Sequence, residues 1–158
     1  MMQNSKKGFT LIELLVVIAI IGLLSTLAVV ALNSARQRSR DAKRVADIRQ
    51  IQTALELGFS ETNGYPVAAS AVTLGAGSEK VLCNNAGTAA WQATSASCTT
   101  VYMGLVPSNP SPGGANYSYT SNGTSSYSVT FTLEGATGQL GSGANCANSA
   151  GIQAGSSC

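Results

Sequence analysis

KKGFTLIELLVVIAIIGLL, Lys6 to Leu24, opens a longer apolar run: Leu14 to Leu32 holds nineteen residues without a charge. At about 1.5 Å per residue such a helix is roughly 28 Å long, close to the ~30 Å of bilayer hydrocarbon. A cleavable secretory signal is the first rival, with an apolar region of only about 7–15 residues and a small-residue cleavage site behind it. This run is longer, and ALNSARQRSRDAKR, Ala31 to Arg44, continues it in helical register, so the segment is expected to be retained. One acid sits near its head. A carboxylate at bilayer depth costs on the order of 2.5–3.5 kcal/mol on insertion scales, which makes Glu13 a functional candidate. The bland alternative is a side chain at the membrane edge that snorkels. Spacing alone leaves both open.

The residues around Glu13 carry more. Gly8-Phe9-Thr10-Leu11-Ile12-Glu13, with a short lysine-containing leader before it and the apolar run behind, closely resembles the class III signal of type IV prepilins and pseudopilins. The likeness covers roughly Lys6 to Leu32. It implies a cut between Gly8 and Phe9 by a prepilin peptidase on the cytoplasmic face, then methylation of the new Phe9 amine. Because that cut precedes the apolar run, the anchor would survive. The resemblance also gives Glu13 a role: its carboxylate would meet the Phe9 ammonium of a neighbouring subunit as helices pack. An unpaired buried charge is expensive and a paired one tolerable, so such a pair would favour correct axial register. Phe9 and Glu13 are also four residues apart in one helix, so a pair within the chain is a second possibility. One departure is visible. Many members of that family have a proline about two turns after the equivalent of Gly22; here Val30 stands there, and Gly22, Ser25 and Thr26 are the remaining soft points.

Length and composition set bounds on the remainder. A chain of 158 residues is about one domain. The formal net charge of +2 makes no strong case for nucleic acid or an acidic substrate. Of sixteen charged residues, ten lie between Arg36 and Glu61, and beyond them only Glu79, Lys80 and Glu134 follow. There is no histidine, which removes histidine-dependent triads, most zinc sites and imidazole acid–base chemistry. The four cysteines, Cys83, Cys98, Cys146 and Cys158, form no Cys-x-x-Cys. An even number in a small exported domain reads as two disulfides, with three connectivities open. The sequence-local pairs Cys83–Cys98 and Cys146–Cys158 are favoured, because each closes a short Gly/Ser/Ala-rich loop; free buried cysteines are the alternative. Cysteine usage puts the C-terminal part outside. Arg36, Arg38, Arg40, Lys43 and Arg44 after the span, against Lys6 and Lys7 before it, argue the other way under the positive-inside rule. Outside is preferred, partly on the resemblance.

From Asn33 the helix is expected to run to about Phe59. Val45, Ile48, Ile51, Ala54, Leu55 and Phe59 form one apolar stripe, with Arg40, Lys43, Arg44, Asp47 and Glu56 opposite. Lys43–Asp47 is the one plausible ion pair on that polar face. Gly58 weakens the last turn, and Asn63-Gly64-Tyr65-Pro66 stops the helix. Ala68 to Ala115 reads as a connecting region with short strands at Lys80–Cys83 and Thr100–Met103. Asn116–Thr120, a turn at Ser121-Asn122-Gly123-Thr124, and Tyr127–Leu133 form the clearest hairpin, with Tyr127, Val129, Phe131 and Leu133 on one face. The expected fold is α+β: a long N-terminal helix, its second half packed on a small antiparallel sheet. It divides into a leader (1–8), a transmembrane or filament-core half (9–32), an amphipathic half (33–62), a connecting region with short strands (63–115), and a β-hairpin or meander with a disulfide-tied C-terminal tail (116–158).

The resemblance implies a structural filament subunit. It would be anchored in the inner membrane before assembly and found in an extracellular fibre afterwards, its partners being copies of itself, lipid, the peptidase and an assembly machinery. A pseudopilin of type II secretion, or a minor or competence pilin, is the alternative. Major pseudopilins carry a calcium site built from C-terminal acids; with only Glu134 so placed, no metal and no cofactor are expected. An enzyme is disfavoured by a head without histidine, with few carboxylates and no phosphate-cradling loop. The basic cluster Arg36–Arg44 has no interleaved aromatic, so it reads as a solvated face before it reads as a nucleic-acid site. The two sequons, at Asn116 and Asn122, fit chance in a Ser/Thr/Asn-rich chain.

Overall fold

A computed structural model of the chain describes residues 8–123 and 125–158. The leader residues before Gly8, Lys6 and Lys7 among them, lie outside the described residues, as does Thr124 of the hairpin turn and second sequon. The fold is α+β. One helix, α1 (Leu11–Thr62), is followed by strands β1 (Ala68–Thr73), β2 (Val81–Asn85), β3 (Thr88–Gln92), β4 (Thr100–Met103), β5 (Ser118–Ser121), β6 (Tyr127–Leu133), β7 (Gly143–Asn148) and β8 (Gly151–Ala154). Contacts divide the chain after Arg36 into two compact units.

In the first unit the side chains from Leu11 to Leu32 are exposed. An 18-residue window of this helix has a mean hydropathy of 2.9, so α1 is long and apolar enough to cross a membrane. The soft points do not interrupt it. Ser25 Oγ donates to the Ile21 carbonyl at 2.7 Å and Thr26 Oγ1 to the Leu23 carbonyl at 2.8 Å. Both hydroxyls are thus satisfied by the helix itself, as an apolar environment demands.

The second unit, Gln37–Cys158, builds its core on the expected stripe. Ile48, Ile51, Ala54 and Leu55 of α1 are buried against Tyr117, Tyr119, Tyr127, Val129, Phe131 and Leu133. A five-stranded antiparallel sheet has the order β1-β5-β6-β7-β8, and a three-stranded antiparallel sheet has the order β3-β2-β4. Strict alternation of burial along β6 places Tyr127, Val129, Phe131 and Leu133 inward together. Aromatic rings fill the space between: Phe59 stacks on Tyr65, Tyr65 meets Tyr127 edge-on at 4.7 Å, and Trp91 meets Tyr119 edge-on at 5.1 Å. The helix ends at Thr62, and Asn63 follows at φ +54, the left-handed conformation that an asparagine tolerates after a helix. Gly58 has a packing reason for its place: a Cβ there would lie 3.2 Å from the Tyr102 ring.

Two expectations are corrected. The polar face of the helix is not solvated throughout, because Asp41, Arg44 and Asp47 are buried. Lys43 forms no ion pair with Asp47 among the described residues; Asp47 Oδ2 instead accepts the Tyr117 hydroxyl at 2.9 Å. Burial pushes the Asp47 carboxyl up and holds the Tyr117 phenol well above its ordinary range. The Gly/Ala/Ser-rich tail, for which the sequence offered only a disulfide tie, adds two strands to the sheet. It folds as β7 and β8, paired from Asn145↔Ala154 to Asn148↔Gly151.

Candidate assembly site at the head of the helix

Gly8, Phe9 and Thr10 precede the helix, and α1 starts at Leu11. The first turn of any helix leaves main-chain N–H groups without partners inside it. Thr10 and Glu13 answer this reciprocally. The Glu13 N–H donates to Thr10 Oγ1 at 3.3 Å, and Glu13 Oε2 accepts the Thr10 N–H at 2.8 Å. This is a capping box, with threonine before the first helical residue and glutamate at the third. Glu13 Oε2 also accepts the Thr10 hydroxyl at 2.6 Å. Glu13 Oε1 makes no hydrogen bond among the described residues.

The acid that looked out of place in the apolar run is therefore held first by its own chain. Neither sequence alternative included this. The signal was present, since Thr-x-x-Glu ahead of an apolar run is the written form of a capping box. The geometry leaves one carboxylate oxygen for another donor, and Phe9, four positions earlier in the chain, is 89% exposed.

The other candidate residues lie in the second unit. Cys83 is bonded to Cys98 with Cα atoms 5.7 Å apart, and Cys146 to Cys158 with Cα atoms 6.0 Å apart. The first pair ties β2 to the segment before β4. The second ties the end of the chain to β7.

A knot of charges, not foreseen as a unit, holds α1 to the end of β6. Glu134 accepts from Arg40 Nε at 2.7 Å and from Arg44 Nη1 at 2.6 Å. Asp41 accepts the main-chain N–H groups of Glu134 (2.9 Å) and Gly135 (2.8 Å). Only its α1 members were visible in the sequence, as a run of charges; the partner acid lies more than ninety positions away. Among the described residues no group of three or more His, Cys, Asp or Glu side chains is placed to hold a metal.

Comparison with known proteins meets this geometry at the same end of the chain. The family described as "Prokaryotic N-terminal methylation motif" matches residues 3–29. Type II secretion system core protein G of Aeromonas hydrophila is 36% identical over 66 residues, covering 42% of this chain and 46% of that protein. The protein of the same name from Escherichia coli K12 is 36% identical over 63 residues, covering 40% and 43%. Type IV major fimbrial protein FimA of Dichelobacter nodosus is 40% identical over 55 residues, covering 35% of each chain. The chain thus spans less than half the length of these curated relatives. No solved structure matches it. The N-terminal segment is a prepilin-type methylation motif, homologous to those of secretion and fimbrial proteins.

Proposed function

We propose that this chain, starting from its prepilin-type methylation motif, is a structural subunit of a type IV pilin-like filament. Processing after Gly8 frees the Phe9 amine, and methylation follows. The segment then serves first as a membrane anchor and later as the filament's core, and the second unit remains outside the membrane. The supporting observation is the state of Glu13. It stands at the head of an exposed apolar helix, with Oε2 occupied by Thr10 and Oε1 not engaged. An ammonium from a neighbouring copy is the donor that matches a carboxylate in an apolar setting. Within the chain, Thr10 already takes the role of local partner, which favours the pair between copies.

The relatives named as secretion core protein G carry a second reading, a pseudopilin of a type II secretion system. Their alignments run to 66 residues, against 55 for the fimbrial protein. One experiment serves both readings. Mass spectrometry of the chain from cells should find an N-terminus at Phe9, methylated, and no free thiol. Shearing the cells and imaging what is released then separates them: a thin fibre dominated by this chain supports the pilus subunit, and a chain left in the membrane fraction supports the pseudopilin. An intact Met1, or a cut near Ala31, refutes both.

A further inference from the structure

At the centre of the charged knot lies one guanidinium. Arg44 is fully buried, and Asp41 beside it is 1% exposed. Six oxygens accept from it. Nη1 donates to Asp41 Oδ1 and Glu134 Oε1, both at 2.6 Å. Nε donates to Asn109 Oδ1 at 2.7 Å. Nη2 donates to the main-chain carbonyls of Pro110 (3.1 Å), Pro112 (3.4 Å) and Gly113 (2.5 Å). Two carboxylates, one carboxamide oxygen and three carbonyls converge, with no nitrogen or sulfur among them. Hard divalent cations such as calcium take such a set: about six to eight oxygens from acids, amides and main chain, in flexible geometry.

The 109–114 loop is shaped for this role. Gly113 and Gly114 sit at φ +90 and +79. A Cβ on Gly113 would fall 2.9 Å from Glu134 Cδ, and one on Gly114 would fall 3.4 Å from Arg44 Nη2. At Gly113 both the short contact and the positive φ require glycine; at Gly114 the positive φ does. The loop turns the carbonyls of Pro110, Pro112 and Gly113 towards Arg44 Nη2, and Asn109 Nδ2 also donates to the Gly113 carbonyl at 2.9 Å.

We propose that the Arg44 guanidinium does the work of a structural divalent cation, and that shortening this side chain uncovers a calcium-type site. Arg44 is the chain's own cation. It pins the 109–114 loop to α1 and to the end of β6 whatever the ionic composition outside. Without it, Asp41 and Glu134 (−2) are left with Arg40 (+1), a net −1 beside the neutral oxygens of the 109–114 loop, with Glu134 itself 21% exposed. The inference concerns the second unit alone and does not depend on whether the chain polymerises.

The test is thermal unfolding of the full chain in detergent, wild type against Arg44→Ala, followed by Trp91 fluorescence and circular dichroism in EDTA, in calcium chloride and in magnesium chloride. The wild-type midpoint should stay within about 1 °C across the three. Arg44→Ala should be destabilised or unfolded in EDTA. Calcium at about 10 mM, roughly tenfold above the Kd of weak extracellular sites, should raise its midpoint by about 4–8 °C or restore the native spectrum. Magnesium should do less, because it demands near-ideal octahedral geometry. Equilibrium dialysis should find one calcium per variant chain and none per wild-type chain. The double variant Arg44→Ala/Glu134→Gln should lose the calcium response. A variant as stable as wild type in EDTA overturns the proposal. So does a variant unresponsive to calcium, a response that survives in the double variant, or a wild type that EDTA destabilises.

Discussion

Replacing Glu134 by glutamine keeps the shape of the charged knot and removes one charge. The hydrogen bonds from Arg40, aided by Arg44, hold the Glu134 carboxyl at about 2, against an ordinary 4.5. A carboxylate depressed in this way stabilises the folded chain above its unfolded value, and the stabilisation is lost as pH falls through the folded value. The window is therefore about pH 5 down to pH 2. At about 1.4 kcal/mol per factor of ten, the gap sets a ceiling of about 3 kcal/mol. The side chain is 21% exposed, and solvent screening brings the expectation to about 1–2 kcal/mol. Urea unfolding of wild type and Glu134→Gln, read by Trp91 fluorescence across this range, measures it directly. The other acids are common to both chains and cancel in the difference. Wild type should be more stable by about 1–2 kcal/mol near pH 7, and the difference should fall towards zero near pH 2.5. A difference that keeps the same size at both ends would refute the electrostatic account and leave only packing.

Three further outcomes are expected. Glu13→Ala should leave the chain in the membrane fraction while greatly reducing fibre yield, and Glu13→Gln, which keeps the capping geometry, should separate loss of charge from loss of the cap; normal fibres from both variants would remove the pairing argument. Tyr117→Phe strands the buried Asp47 carboxyl without its hydroxyl partner, so stability measured by urea unfolding should drop by about 1–3 kcal/mol. Cys158→Ser opens the loop closed by Cys146 and Cys158, twelve positions apart. It should cost about 2–3 kcal/mol in a thermal or urea scan and free β8 for early proteolysis.

Periodic features of the second unit were legible from the sequence. The three-and-four spacing of Ile48, Ile51 and Leu55 and the alternation in Tyr127–Leu133 each name a buried face, and the structure places these faces against each other. The stop at Asn63 was written in its own chemistry. What stayed hidden was hidden for definite reasons. Apart from Cys146 and Ile152, strands β7 and β8 are made of Gly, Ala, Asn and Gln, residues with low strand propensity; they exist because β6 offers an edge, so tertiary pairing decides them. The burial of Arg44 could not be read from its helix neighbours. Its oxygens come from Asn109 to Gly113 and from Glu134, and periodicity within one element carries no information about them. Glu13 stands out in the sequence by its charge in an apolar run, whereas its partner Thr10 is named only by the orphan N–H groups of a first turn, a constraint that membrane depth does not express.

The tyrosines, four of them buried and Tyr102 half-buried, have a consequence of another kind. All five, Tyr65, Tyr102, Tyr117, Tyr119 and Tyr127, have phenols raised above the ordinary value, with burial the leading cause and Tyr65 reaching about 12. Their contribution is complete below about pH 10 and is lost as alkali forces them to ionise. At the acid end Glu134 gives the matching limit. Between these limits the chain has no histidine and no free thiol, which leaves the interval from about pH 6 to pH 9 without an ordinary titrating side chain. The second unit is thus buffered by omission. Apart from Asp47, whose buried carboxyl is pushed up, no side chain of this unit has reason to change charge between these limits, and its packing should be the same at both ends of the interval.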